Sequence, residues 1–229
     1  EHFAWQASWG ISWRLIGATV MAHGDDKGLV LPPRIAPIQC VIVTIFYKEA
    51  DRERILSKAK EVFAVLSAKK IRAFIDDREQ YTPGWKFNEW EMKGVQLRIE
   101  IGPRDVEKGQ ITVVRRDTSE KFAVKIYSAA SEIKKILVQI QNNLHGKALK
   151  LSESKTKTAK SYGELKSYAE VDAGFVKSPW CGRRECEAQV KEETGADIRL
   201  IPLEEEKLSA KCLVCGQDAK HMAYFARAY

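Results

Sequence analysis

The sequence predicts an α/β fold, a mixed sheet covered on its faces by helices, joined to a smaller cysteine-bearing domain. Two observations carry that reading. Between residues 39 and 144, short β-branched runs alternate with amphipathic stretches, and beyond residue 180 four of the five cysteines stand as two close pairs. With 229 residues, 45% of them hydrophobic, the chain can form one or two packed domains. Its 38 basic against 31 acidic residues leave a net charge of +7, which favours a polyanionic partner. The longest uncharged apolar runs, such as Val41 to Tyr47, are too short to span a bilayer, and the first residues lack the basic-then-apolar pattern of a signal peptide. The expectation is a cytoplasmic globular protein that engages no membrane.

The elements follow in order. Phe3 to Trp9 alternates like a strand, and Ile11 to Ala22 is apolar on nearly every side, which predicts a helix buried all round. Thirty residues cannot enclose such a helix, and the chain opens on Glu1-His2-Phe3 without a methionine. It therefore reads as a fragment whose first helix packs into a larger domain, and which alone exposes an apolar patch. Pro32, Pro33 and Pro37 preclude continuous helix and mark a boundary. Gln39 to Tyr47 reads as a buried strand, Asp51 to Lys70 as an amphipathic helix with Ile55, Leu56, Ala59, Val62, Phe63 and Leu66 on one side, and Ile71 to Ile75 as a second strand. Pro83 can open a helix and Gly94 close it, so Gly84 to Lys93 is helical, with Phe87 and Glu91 on one face and Lys86, Trp90 and Lys93 on the next. Gln96 to Gly102 alternates as a half-buried strand whose Arg98 and Glu100 point away from the core, and Gly102-Pro103 turns the chain. Strands at Ile111 to Arg115 and Phe122 to Ile126 and a helix from Ala129 to Leu144 complete the α/β unit. The lysine-rich stretch from Gly146 to Lys160 is a linker or charged helix end, or else a phosphate-contacting arm.

Two segments carry chemistry. Residues 81–105 concentrate aromatic and charged side chains between Pro-Gly and Gly-Pro corners, a composition that suits a contact surface, although Trp85, Phe87 and Trp90 can equally be core. Cys181 and Cys186 have four residues between them, Cys212 and Cys215 have two, and 25 separate the pairs. Two short-spaced pairs on tight turns, with Gly182 and Gly216 to supply the backbone freedom, suit a tetrahedral four-thiolate zinc site with no open position, hence a structural one. Two disulfides are the competing reading, which a reducing cytoplasm disfavours. Cys40, in an apolar strand, is a core thiol, and His2, His23, His145 and His221 stand apart from one another in sequence. Phosphate-cradling glycine loops, the metalloprotease helix motif and the nucleophile elbow are all missing from the sequence.

The run Pro83-Gly84-Trp85-Lys86-Phe87-Asn88-Glu89-Trp90-Glu91, followed by Lys93-Gly94 and then by Arg98, Glu100 and Gly102-Pro103-Arg104-Asp105, resembles the anticodon-binding domain of the prolyl-tRNA synthetase family. Ser8 to Gly17 and His23 to Arg34 are similar to that family's last class II signature and the linker after it, and Pro179 to Tyr229 to the C-terminal domain of its archaeal and eukaryotic type. The resemblance implies three segments: residues 1–36 from the end of a catalytic domain, 37–147 as a five-stranded mixed sheet flanked by helices, and 148–229 as a small α+β zinc-binding domain. It implies that Arg14 binds the ATP triphosphate and that Gln6, Ser8, Trp9, Gly10 and Ser12 line the adenylate and proline pocket. Trp13 departs from the small hydroxylated residue usual there. It further implies that Phe87 stacks on an anticodon base while Glu91, Arg98, Arg104 and Asp105, with Lys121, read the guanines of the proline anticodon. The terminal Tyr229 is similar to a family tyrosine whose carboxylate reaches back to the active site. The implied partners are proline tRNA, ATP with magnesium, proline, and a second copy through the catalytic domain, with no role for DNA. Because the other two class II signatures are missing from this sequence, the chain alone is expected to bind tRNA without catalysing. The rival expectation is a non-catalytic zinc-containing tRNA-binding or scaffold protein derived from the enzyme. A DNA-binding zinc ribbon would explain the cysteines but not residues 81–105.

Overall fold

The computed structural model describes residues 4–171, 174–203 and 208–227, and the chain divides into a unit ending at Ala148 and a unit beginning at Leu149. The readings of His2 and Tyr229 lie outside the described residues.

Along the first unit run α1 (Arg14–His23), β1 (Cys40–Thr44), α2 (Glu49–Ala68), β2 (Ala73–Asp76), α3 (Pro83–Met92), β3 (Leu97–Ile101), α4 (Pro103–Glu107), β4 (Gln110–Arg115), β5 (Lys121–Lys125) and most of α5 (Ala129–Ser154), whose last six residues fall in the second unit. The sheet is five-stranded and mixed, in the order β2-β1-β3-β4-β5, with β1 parallel to β2 and β3, and the β3–β4 and β4–β5 pairs antiparallel. Every residue of β1 is buried, as a β-branched strand covered on both faces requires. One face packs Cys40, Ile42, Leu97, Ile99 and Ile101 against Ile55, Ala59, Val62 and Leu66 of α2 and against Ile133, Ile136, Leu137 and Ile140 of α5. Those helix positions recur at the spacing of an apolar stripe. The other face packs Val41 and Val43 against Trp90, Val95 and Phe87 from α3 and its exit. Cys40 is fully buried, and that burial pushes its thiol pKa up, so it is an inert core residue.

Helix α3 is bounded as its residues dictate. The Thr82 hydroxyl accepts from the Trp85 N–H at 3.3 Å, Pro83 occupies the first turn, and Gly94 leaves it with φ +74°. Gly94 and Gly28 also allow the chain from residue 28 to 31 to run against the end of α3. A Cβ on Gly94 would lie 2.7 Å from Leu29 Cβ, and one on Gly28 would lie 2.6 Å from the Met92 carbonyl oxygen. The Leu29 N–H donates to that carbonyl at 3.0 Å.

Several expectations need correction. Residues 4–9 form no strand, because alternation alone supplies no partner for the backbone groups. The first helix begins at Arg14 rather than Ile11, and none of its residues is buried. Gly102-Pro103 is the start of the short helix α4, not a simple turn. The final helix of the α/β unit runs ten residues further than expected, to Ser154. Arg98 and Glu100 do leave the α2/α5 core, but the face they enter is itself partly covered, and Glu100 is buried.

The second unit follows with β6 (Thr156–Thr158), α6 (Tyr162–Glu170), β7 (Phe175–Trp180), α7 (Arg184–Thr194), β8 (Ala196–Leu200) and β9 (His221–Arg227). Its sheet has the order β6-β7-β9-β8, with only the β6–β7 pair parallel. The core gathers Leu165 and Ala169 of α6, Val190 of α7, and Val176, Ala223 and Phe225 of the sheet.

Candidate nucleic-acid interface and candidate metal centre

Strand register builds the first site. Phe74 of β2, Val41 of β1, Arg98 of β3, Val114 of β4 and Lys121 of β5 stand opposite one another, so they form one row across the sheet. Asp76, Val43, Glu100, Thr112 and Ala123 form the next row on the same face. Helix α3 covers the β2–β1 end of these rows through Trp90 and Phe87. At its edge remains an open cavity of about 240 Å³, whose lining includes Phe87, Glu91, Arg98, Lys121, Lys27 and Arg116.

Within the cavity the Arg98 guanidinium lies over Phe87, 4.1 Å from the ring centroid. Glu100 accepts from Arg98 Nε at 3.0 Å and from Lys121 Nζ at 2.7 Å. Lys27 pairs with Glu91 at 3.3 Å. Arg116 is committed to structure: its two terminal nitrogens grip Asp25 at 2.8 and 2.6 Å, and its Nε donates to the Glu91 carbonyl at 3.1 Å. The hydrogen bond from Arg116 holds the Asp25 carboxyl down to about 2. Thus Asp25 is the staple that fixes Lys27 beside Glu91.

Helix α3 is pinned from below. Asp76, with no exposed side-chain surface, accepts from Trp90 Nε1 at 2.7 Å and from Arg78 Nε and Nη2 at 2.9 and 2.8 Å, with Lys86 Nζ at 3.7 Å. Burial alone would raise the Asp76 pKa, but the bonds from Arg78 and Trp90 and the Lys86 charge prevail and hold it at about 2. Lys86 is buried and donates to the Asp76 carbonyl at 3.1 Å, so it belongs to the scaffold, not to a basic contact face. Trp90 is likewise core, whereas Trp85 is exposed and stacks on Tyr81 with ring centroids 3.8 Å apart.

The six residues expected at the anticodon therefore separate. Phe87, Glu91, Arg98 and Lys121 meet around one cavity. Arg104 and Asp105 lie beyond the end of β3, on α4. Asp105 accepts from the Gly102 N–H at 3.0 Å and from the Thr112 hydroxyl at 2.9 Å, while Arg104 is exposed and has no ion pair among the described residues. Gln6, Ser8, Trp9, Gly10, Ser12 and Arg14 are all exposed, and none of their side chains forms a hydrogen bond or ion pair among the described residues. Glu100 and Lys27 were not foreseen. Glu100 was legible only as an outward strand residue, and nothing in the local pattern around Lys27 signals a partner 64 positions away at Glu91.

In the second unit the ligand atoms of Cys181, Cys186, Cys212 and Cys215 all lie within 4.8 Å of one another. Cys181 follows β7, with Gly182 at φ +83° carrying the chain into α7, whose first turn holds Cys186. Cys212 and Cys215 flank a turn closed by the Gly216 N–H to the Cys212 carbonyl at 2.9 Å, with Gly216 at φ +73°. The Cys181 to Cys186 and Cys215 to Cys181 sulfur distances, 3.6 and 3.7 Å, match the roughly 3.8 Å edge of a tetrahedron with 2.3 Å metal–sulfur bonds. No disulfide joins them. The Gln217 N–H and then Arg183 pull the Cys215 pKa down to about 6, whereas burial pushes that of Cys186 up to about 12. Together the four cysteines can bind a metal ion.

Comparison with known proteins finds matches in both units. Residues 39–136 match the family model "Anticodon binding domain", and residues 162–229 match "Prolyl-tRNA synthetase, C-terminal". Over 225 residues the chain is 51% identical to a protein named proline-tRNA ligase from Alkaliphilus oremlandii, covering 98% of this chain and 46% of that protein. It is 48% identical over 229 residues to a protein of the same name from Cenarchaeum symbiosum, covering 100% of this chain and 48% of that protein. The chain thus spans about half the length of the curated relatives it matches. With both domain models matched and such identity sustained along its whole length, the chain belongs to the prolyl-tRNA synthetase family.

Proposed function

We propose that the chain is the part of a proline-tRNA ligase that recognises the anticodon of proline tRNA, within an enzyme that activates proline with ATP and transfers it to that tRNA. One observation supports this above the rest: Phe87, Glu91, Arg98 and Lys121, drawn from three elements, converge on one cavity of the sheet face. A guanine presents O6 and N7 acceptors and N1 and N2 donors, so cations and a carboxylate placed together suit it. Arg98 and Lys121 donate to O6 and N7, and Glu91 accepts from N1 and N2. Phe87 supports the stack through Arg98, whose guanidinium lies over the ring. Arg104 and Asp105 contact the neighbouring nucleotide from the end of β3.

The metal at Cys181, Cys186, Cys212 and Cys215 is zinc. Four thiolates close its coordination, so it supplies folding stability and no catalytic chemistry. Residues 1–36 belong to the catalytic domain of the whole enzyme, residues 37–147 bind the anticodon, and residues 148–229 form the zinc domain. Within the first segment, Gln6, Ser8, Trp9, Gly10 and Ser12 complete the adenylate and proline pocket, and Arg14 holds the triphosphate of magnesium-bound ATP. The exposed side chains of Trp13, Leu15, Ile16 and Met21 pack into that domain, through which the enzyme dimerises in the cytoplasm. Alone, the chain binds tRNA and does not catalyse proline-dependent pyrophosphate exchange.

Titration of the purified chain with proline tRNA, and with the same tRNA carrying its anticodon guanines replaced, tests the proposal at fixed near-physiological salt. A clear preference for the native anticodon is expected. Equal binding would favour a non-catalytic zinc-containing scaffold protein instead.

A further inference from the structure

We propose that Glu100 is the positioning residue of the guanine-reading cavity: a carboxylate that does not touch the RNA but dictates which edges of Arg98 and Lys121 are offered to it. The inference deepens the anticodon reading and rests on it. Glu100 is 5% exposed and is absent from the cavity lining, which Arg98 and Lys121 do join. It stands one row behind them on the sheet face, between Val43 and Thr112. Its two oxygens are divided between the two cations. Oε1 accepts from Arg98 Nε at 3.0 Å and forms an ion pair with Nη2 at the same distance, and Oε2 accepts from Lys121 Nζ at 2.7 Å.

The stereochemistry of arginine turns this into specificity. A guanidinium has a side edge, Nε with Nη2, and an end edge, Nη1 with Nη2, and either can make a pair of parallel hydrogen bonds. Glu100 consumes the side edge, and Phe87 lies against the flat face at 4.1 Å. Only the end edge is left for a ligand. Two parallel donors there match the O6 and N7 acceptors of guanine, whereas adenine offers an amino donor in place of O6 and repels one of them. Lys121 keeps two of its three N–H groups for the same ligand.

Glu100 also selects against the wrong chemistry. Arg98 and Lys121 without it would be a pair of free cations, a good site for any backbone phosphate. With it, part of their charge is already answered, and a phosphate would meet a carboxylate behind them. Replacing Glu100 by glutamine therefore has a signed consequence: base discrimination falls while sequence-independent RNA binding holds or tightens. A residue that served only to keep the domain folded would weaken binding to every RNA together.

The test uses the full 229-residue chain and two anticodon stem-loop RNAs, one with the proline anticodon guanines and one with adenines in their place, titrated over a range of salt. The readout is the ratio of the two affinities. In Glu100→Gln the ratio should fall about tenfold, the adenine RNA should bind at least as tightly as it binds the wild type, and the salt dependence should steepen. Thermal unfolding checks that the variant is folded. Because the partner cations are partly exposed, water can take over their lost bonds. If Glu100→Gln nevertheless fails to fold, Glu100→Asp keeps the charge but draws the anchor back by one methylene, and the ratio should fall in the same direction. An undiminished ratio in either folded variant overturns the role of Glu100 alone. Equal binding of both RNAs by the wild type overturns the anticodon reading, and this inference with it.

Discussion

The two units stabilise their sites by different means. In the first, sheet register and two apolar layers do the work: Val41 and Val43 pack on one face, Cys40 and Ile42 on the other, and the charged row at Arg98 is carried along by the strands beneath it. In the second, Cys212 and Cys215 lie on a turn whose only strand-like pairing among the described residues is the Lys211–Asp218 bridge. The start of β9 carries that turn to Cys181, through the Lys220 N–H donating to the Trp180 carbonyl at 2.8 Å and the Trp180–His221 pair, and there four unjoined thiols meet with Trp180 and Val214 packed around them. The comparison teaches that the first site should survive loss of any ion, while the second unit's order should depend on one.

The largest expected effect breaks the comparison directly. Stripping the metal with a chelator, or Cys212→Ser, should abolish cooperative unfolding of residues from Leu149 onward, since structural zinc is worth about 10 kcal/mol or more where it binds, comparable to the whole stability of a small domain. Amide exchange resolved by residue should then show fast exchange in β7 and β9 with protection retained in β1 and β3. Equal loss of protection in both units would mean that they do not differ in the way their packing implies.

Next in size is the staple under α3. Asp76→Ala leaves buried Lys86 without its carboxylate and Arg78 with that of Glu89 alone, and removing one partner from a buried ionic network costs about 3–5 kcal/mol. Chemical denaturation monitored by the Trp90 environment would measure it, with the second unit's transition unmoved. The same group gives a pH dependence of fixed sign. The Asp76 and Asp25 carboxyls titrate at about 2 in the folded chain, below the ordinary carboxylate value near 4. The unfolded state therefore binds more protons in that window, and the stabilisation is complete above about pH 5 and lost as the pH falls from about 4 towards 2. For Asp76 this amounts to about 2 kcal/mol. Acid titration of the Asp76→Ala variant should lack that share of the loss.

How much of this could be read from the residues differs between the units for a physical reason. The strand at Val41 and the bounds of α3 at Pro83 and Gly94 are local signals, and the structure follows them to within a few residues. The cysteine spacing within each pair is a local signal too, and the structure brings all four thiols together. Alternation in β3 correctly told which side chains share a face, but it cannot tell what covers that face. Glu100 was therefore read only as pointing away from the core, when it is buried and held by its own two cations. The same limit hid the Asp76 network, whose members come from β2, the loop at Arg78 and α3. Residues 4–9 show the converse failure, in which a strand pattern met no strand to pair with.

The smallest effects sharpen the comparison at the level of single cations. Arg98→Ala in the first unit removes both the end-edge donors and the cover of Phe87, and should relax anticodon discrimination by about 1–3 kcal/mol. Lys155→Ala in the second unit removes a charge from an exposed side chain, while the backbone at that position stays fixed by the Phe175 N–H donating to its carbonyl at 2.9 Å and by Gly174 packed against it. Its truncation should lower affinity slightly and equally for all RNAs, reducing the salt slope by at most about one. Titrations of both variants against native and guanine-replaced tRNA at several salt concentrations separate the two roles. If Lys155→Ala erodes discrimination as much as Arg98→Ala does, base reading is not confined to the sheet face of the first unit; if neither does, the guanidinium over Phe87 holds the fold and not the base.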